Sequence, residues 1–129
     1  MNRPDHAVLV VDDDLDIREA LTDILEDRGF LVSGAANGRE ALTVLRSLET
    51  PPAVILLDLM MPIMDGYGFL EEHRKDASLA AIPVAIITAG HGIDRSRIDD
   101  VTPIVPKPID IDRLLRLLHD LCASPRSIA

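Results

Sequence analysis

Hydrophobic runs and helix-periodic stretches alternate from one end of the chain to the other. Ala7-Val8-Leu9-Val10-Val11 is continuous and rich in β-branched residues. A run without polar alternation suits a strand covered on both faces, and this one ends at Asp12. Ile17, Ala20, Leu21, Ile24 and Leu25 then recur at helical spacing, and Gly29 supplies a stop. Phe30-Leu31-Val32 reads as a second, weaker strand. Asn37 and Glu40 have capping-box spacing and open a helix with Ala41, Leu42, Leu45 and Leu48 on one face. Pro51-Pro52 end it, and Val54-Ile55-Leu56-Leu57 form a third strand that stops at Asp58.

The second half repeats the alternation. An Asp65-Gly66 turn precedes a helix from Tyr67 to Lys75, and Pro83-Val84-Ala85-Ile86-Ile87 is a fourth strand ending at Thr88. Ile93 to Asp100 reads as a short helix whose start is loosened by Gly90 and Gly92. Pro103-Ile104-Val105-Pro106 is a fifth strand before Lys107. Asp110 caps a last helix with Ile111, Leu114, Leu115, Leu118 and Leu121 on one side. The polar tail 123–129 is expected to fray. Five strands alternating with five helices predict an α/β fold: a doubly wound, five-stranded parallel sheet of the flavodoxin-like (βα)5 kind, in strand order 2-1-3-4-5. Prolines 103, 106 and 108 place the fifth strand at an edge, because proline donates nothing to a central ladder. The chain reads as one domain over 1–129 with a core of about 6–122, and no linker or output domain is expected.

Composition narrows the functions this fold can serve. With 129 residues, 47% hydrophobic and 27% charged, the chain is globular rather than disordered. Lys and Arg number 13 against 22 Asp and Glu, a net charge of −9 that repels phosphate backbones, and three aromatics make no base-stacking platform. Nucleic-acid binding is not expected. Neither is membrane insertion, since no apolar run nears the ~20 residues of a span, and Met1–Asp5 lacks a secretory signature. One cysteine, Cys122, excludes an internal disulfide and is too few for a thiolate metal site. A cytoplasmic protein is expected.

The predicted topology gathers the residues after four strands on one rim: Asp12-Asp13-Asp14, Asp58, Thr88 and Lys107. Close carboxylates repel by up to ~4 kcal/mol per pair at a surface-like dielectric, and a bound cation relieves that. An all-oxygen set without His or Cys points to Mg2+ rather than zinc. Thr88 and Lys107 would complete a site for a metal and a phosphate-like anion. Bland readings compete residue by residue. Asp14 is best read as a helix cap, whereas three consecutive acids exceed what capping needs. Met60, Met61 and Met64 read as gap-filling core. His6, His73, His91 and His119 lack ligand spacing and read as surface or loop residues, and Cys122 as a small buried or half-buried hydrophobe.

On these residues the chain resembles the receiver domain of two-component response regulators, over Val8 to Leu121. The matching motifs are Val10-Val11-Asp12-Asp13-Asp14, Leu57-Asp58-Leu59-Met60-Met61-Pro62 with Met64-Asp65-Gly66, Ile86-Ile87-Thr88-Ala89, and Lys107-Pro108. The resemblance implies a phosphoacceptor role for Asp58, which takes a phosphoryl group from a phosphohistidine donor. It implies Mg2+ held by Asp13, Asp58 and the backbone carbonyl of Met60, with Asp12 acting through water. Thr88 would donate to one phosphoryl oxygen and Lys107 would neutralise another. It also implies a cis Lys107-Pro108 bond. The partners would be a sensor histidine kinase or histidine phosphotransfer protein and an unknown downstream target, with the domain a monomer or weak homodimer. Such a domain is not an enzyme beyond taking and slowly losing its own phosphoryl group.

The chain departs from that family in two places. Ile104 stands where many receivers carry the aromatic that swings on phosphorylation. The segment between Thr88 and Lys107 is also short, so the fourth helix is expected to be short or mobile and its face to signal differently. Met60 and Gly90 occupy positions that tune hydrolysis in this family, and neither side chain can assist it. A haloacid-dehalogenase-type phosphatase would need an acid at Met60, and a cobalamin-binding domain a His there. A pseudo-receiver, an interaction module that is not phosphorylated, typically loses one of the acids, the threonine or the lysine, and all are kept here. Because the chain ends soon after the last helix, it is expected to be either a stand-alone receiver that acts by docking to a partner or a receiver excised from a larger protein, with Met1 and the tail slightly favouring the former.

Overall fold

Parallel strands β1 (Ala7–Val11), β2 (Leu31–Ala35), β3 (Val54–Asp58), β4 (Val84–Thr88) and β5 (Ile104–Pro106) form one sheet in the order β2-β1-β3-β4-β5. The structure, a computed structural model, describes residues 6–89 and 91–122. Gly90 and the tail expected to fray lie outside the described residues. Helices α1 (Leu15–Asp27), α2 (Gly38–Ser47), α3 (Gly66–Lys75) and α4 (Ile111–Cys122) cover the sheet. Alternate strand residues point to opposite faces, and this divides the core. Leu9, Val11, Ile55, Leu57 and Ile86 pack with Ala41, Leu42 and Leu45 of α2 and Phe69 and Leu70 of α3. Val8, Val10, Leu56, Ala85 and Ile87 pack with Leu21 and Leu25 of α1 and Leu114 and Leu118 of α4.

The caps follow the sequence closely. Asp14 accepts from the amides of Asp16 and Ile17, Asp65 from Gly68, and Asp110 from Arg113. Asn37 accepts from Glu40, whose own carboxylate reaches the amide of Ala36, one residue before the cap. Leu48 falls just beyond α2 rather than on its face. Strand β2 outruns its apolar stretch, because backbone pairing with β1 carries it through Ser33 and Gly34 to Ala35.

The expected fourth helix is absent. Among the described residues only a 3-10 turn, Arg95–Arg97, lies between β4 and β5, so four described α-helices cover the five strands. Gly92 adopts φ +65°, and the Asp94 carboxylate turns back on Ser96. Among described residues 91–103 only Ile98 is buried, which is too little apolar surface to seat a helix. Instead α3 holds the segment. The Tyr67 hydroxyl accepts from the Asp94 amide at 2.8 Å, the Arg97 guanidinium lies 4.6 Å from the centre of the Tyr67 ring, and Arg97 pairs with Glu71 at 3.4 Å. Amides of residues 93–101 should therefore exchange with solvent faster than those of α4. Tyr67→Phe removes the acceptor, and losing a hydrogen bond of about 1 kcal/mol should speed exchange at Asp94 roughly 5-fold. Protection of 93–101 equal to that of α4 would overturn this account.

Two further expectations need correction. His73 is not a surface residue: it follows Phe69 and Leu70 on the inner side of α3 and is buried, its Nε2–H donating to the Ile82 carbonyl at 3.0 Å. Burial pushes its pKa below the usual histidine range and keeps the ring neutral. Met60 is not core but 68% exposed, whereas Met61 is buried. Cys122 is half-buried as expected. Among the described residues no helix is long and apolar enough to cross a membrane.

Candidate functional site

Register brings the strand ends together. Val11 lies opposite Leu57, Asp58 opposite Ile87, and Thr88 opposite Pro106. Asp12, one residue past β1, is held at nearly every polar atom. Its amide donates to Ala35 O at 3.1 Å, and its carbonyl accepts from Arg18 Nη1 at 2.7 Å. Its Oδ1 accepts from the Asp14 amide at 2.9 Å, and its Oδ2 from Lys107 Nζ at 3.1 Å. Asp13 is exposed beside it, and Asp14 is occupied as the α1 cap.

Asp58 is the last residue of β3 and is buried; its Oδ1 accepts from the Met60 amide at 3.4 Å and its Oδ2 lies 3.5 Å from Lys107 Nζ. One carboxylate oxygen from each of Asp12, Asp13 and Asp58 lies within 4.8 Å of the others. Thr88 is buried at the end of β4, and its carbonyl accepts from the Lys107 amide at 2.7 Å, which closes β5 onto the site. The Lys107-Pro108 bond is cis. Burial, and then the charge of Asp12, push the Asp58 carboxyl above its ordinary value, with Lys107 opposing. Burial pulls the Lys107 ammonium down, but its bonds to Asp12 and Asp58 outweigh that and hold it above the usual lysine range.

Two glycines let the loop after β3 close on the site. A Cβ on Gly66 would stand 2.7 Å from Asp58 O, and one on Gly38 would stand 2.7 Å from Met64 Cγ. Gly66 N donates to Leu59 O and Gly38 N to Met64 O. Between them Ile63 takes φ +69°, with the Met64 amide donating to Pro62 O in a γ-turn. A β-branched residue there is strained.

The structure thus gathers Asp12, Asp13, Asp58 and Lys107, sets Met60 beside Asp58 through its amide, and puts Thr88 on the neighbouring strand end. Three carboxylates with no His or Cys among them have the donor chemistry of a hard divalent cation such as Mg2+, and the lysine can face an anion brought to it. Arg18 was missing from the sequence reading. Its signal was indirect: Gly34, a residue that weakens strands, sits in β2 where the arginine stem crosses.

A family profile described as response regulator receiver domain matches residues 8–119. Response regulator Rre1 of Synechocystis sp. is 38% identical over 122 residues, covering 91% of this chain and 52% of that protein. Response regulator receiver protein Anae109_2439 of Anaeromyxobacter sp. is 36% identical over 110 residues, covering 84% and 45%. The chain spans about half the length of these curated relatives. Among solved structures, a response regulator receiver protein from Pseudomonas putida superimposes with TM-score 0.80 at 29% identity, covering 92% of this chain and 98% of that one. Response regulator TrrA of Thermotoga maritima, solved in complex with Mg2+-BeF, superimposes with TM-score 0.75 at 28% identity, covering 94% and 99%.

Proposed function

The chain belongs to the response regulator receiver domain family, and on that premise we propose that it is the phosphoacceptor of a two-component phosphorelay, with Asp58 carrying the phosphoryl group. The observation that carries this reading is the placement of Lys107 Nζ between two buried carboxylates, 3.1 Å from Asp12 and 3.5 Å from Asp58. Two buried carboxylates and an exposed third beside one lysine are costly as structure alone and suited to receive a further cation and a phosphoryl group.

In the step itself, an ionised Asp58 oxygen attacks the phosphorus of a phosphohistidine on a sensor histidine kinase or phosphotransfer protein. A P–O bond forms, the P–N bond breaks, and its electron pair returns to the imidazole. Asp13, Asp58 and the Met60 carbonyl would hold Mg2+, with Asp12 acting through water; when bound, the ion supplies positive charge against the transferring oxygens. Lys107 then exchanges its contact with Asp58 for a phosphoryl oxygen, and the Thr88 hydroxyl donates to another. Met60 and Gly90 bring no group that assists hydrolysis. The domain is a signalling module rather than a classical enzyme. Its output is docking to a target protein in the cytoplasm, as a monomer or weak homodimer.

Intact-mass spectrometry after incubation with acetyl phosphate tests the reading. The expected result is a gain of one phosphoryl group that requires Mg2+ and disappears in Asp58→Asn. Wild-type protein unlabelled by both acetyl phosphate and a phosphorylated histidine phosphotransfer protein would overturn it in favour of a silent interaction module.

A further inference from the structure

We infer that Arg18 is a positioning residue for the acid cluster, an inference that rests on the phosphoacceptor reading above. Its guanidinium donates to the carbonyl of Asp12 at 2.7 Å, a charge-assisted bond to main chain. The register of β1 with β3 ends at Val11; this carbonyl lies one residue beyond it. The arginine reaches it by laying its stem across β2 at Gly34, where an added Cβ would stand 3.2 Å from Arg18 Cδ. Gly34 and Arg18 therefore form one fitted pair, the strand giving up a side chain where the stem crosses.

The consequence falls on Asp13. The carbonyl of Asp12 and the amide of Asp13 share one rigid peptide plane, so fixing the carbonyl direction fixes how the chain leaves Asp12. The next anchors follow at once: the Asp14 amide on Asp12 Oδ1 at 2.9 Å and the Arg18 amide on Asp14 O at 3.0 Å. Asp13 is thus an exposed residue between two immobilised ones, and its carboxylate is aimed by the backbone rather than by side-chain contacts. Without Arg18 the plane is free to turn toward another donor, and Asp13 swings away from Asp12 and Asp58.

Sign separates this role from the alternative. An arginine that merely lent charge would repel a divalent cation, and its loss would tighten binding; loss of a positioning arginine weakens it. The test is Mg2+ titration by calorimetry on wild type, Arg18→Gln, Arg18→Lys and Gly34→Ala, at a temperature where thermal scans show each fully folded. Arg116→Gln, on the exposed side of α4, matches the charge change. We expect Arg18→Gln to bind Mg2+ about tenfold more weakly, the usual range for a residue that orients ligands. Gly34→Ala, which displaces the stem and leaves the charge, should shift in the same direction, Arg18→Lys less, and Arg116→Gln not at all. Labelling of Arg18→Gln by acetyl phosphate should slow at low Mg2+ and recover at saturating Mg2+. Unchanged or tighter Mg2+ binding in Arg18→Gln overturns the inference, as does a loss seen equally in Arg116→Gln. Wild-type protein that takes no Mg2+ overturns the phosphoacceptor reading itself, and the two failures are thereby distinct.

Discussion

Replacing Asp58 with Asn is expected to stabilise the metal-free protein at neutral pH by about 0.5–2 kcal/mol, the usual size of a stabilising substitution at a strained site, because the fold disfavours this carboxylate's charged form and Lys107 keeps its contact with Asp12. Asp58 is buried beside Asp12, and its folded pKa is raised from the reference value of 3.8, by burial first and by Asp12 second. The folded state therefore binds its proton more tightly than the unfolded chain. That preference costs nothing at a pH below the unfolded value. The cost grows as pH rises through the interval between the two values, and it is complete above the folded one. The stabilisation should accordingly vanish near pH 3, below the unfolded value, and be larger at pH 7. Urea denaturation with chelator at both values measures it, and a variant less stable than wild type at pH 7 would contradict the account. Saturating Mg2+ should then invert the order: at a hundred times its Kd, a ligand bound only by the native state adds about 2.7 kcal/mol, and the Asn variant lacks the ligand that receives it. Functional acids held against their own electrostatics leave this signature.

The second large effect is expected at Gly66, where alanine should cost about 3 kcal/mol, the upper part of the range for overpacking. Its Cβ would stand 2.7 Å from both Asp58 O and Leu59 Cα. Both are main-chain atoms of β3 and the residue after it, so no rotamer change relieves the clash; α3 must move off the strand or the strand must shift. A fall in melting temperature of about 10 °C would follow for a domain of this size, together with weaker Mg2+ binding, since Asp58 is displaced with its backbone. Gly68→Ala in the same helix is the control. Its Cβ would meet Met64 Cγ at 3.1 Å, the flexible part of a side chain, and the gain in helix propensity of up to ~1 kcal/mol offsets the crowding. Equal melting temperatures for the two variants would show that the close approach at Gly66 is not a constraint.

Much of the fold and the site is legible in the chain because both depend on strands buried on two faces. Val54 to Leu57 and Val84 to Ile87 are fully buried, and such runs stand out without knowledge of their partners. Once their order is known, the polar residues after them must share a rim, which is how Asp12, Asp58, Thr88 and Lys107 were found together. What escaped depends on pairings between distant parts of the chain. Strand β2 is held at Ser33 and Gly34 by β1, not by its own side chains. His73 looked like a surface residue because its type outweighed its position, although its spacing from Phe69 and Leu70 matches the buried face of α3. The missing fourth helix was legible in part: Gly90, Gly92 and the short segment between Thr88 and Lys107 signalled a short or mobile helix, but not that Tyr67 would hold the segment in its place. Arg18 could be read only with Gly34 beside it.

The short strand β5 bears on how this domain can associate with anything at all. In a strand, successive N–H groups point to opposite sides. The Lys107 amide points inward to Thr88 O, so Val105 points inward too, and the outward positions are Ile104 and Pro106. Proline has no N–H, which leaves one donor along the whole outer margin of the strand. A peptide or a second copy seeking to extend the sheet at this edge would find a single donor to pair with. At this edge recognition is thereby left to the neighbouring helices and loops, whereas β2, the sheet's other edge, has no proline and keeps its outward donors.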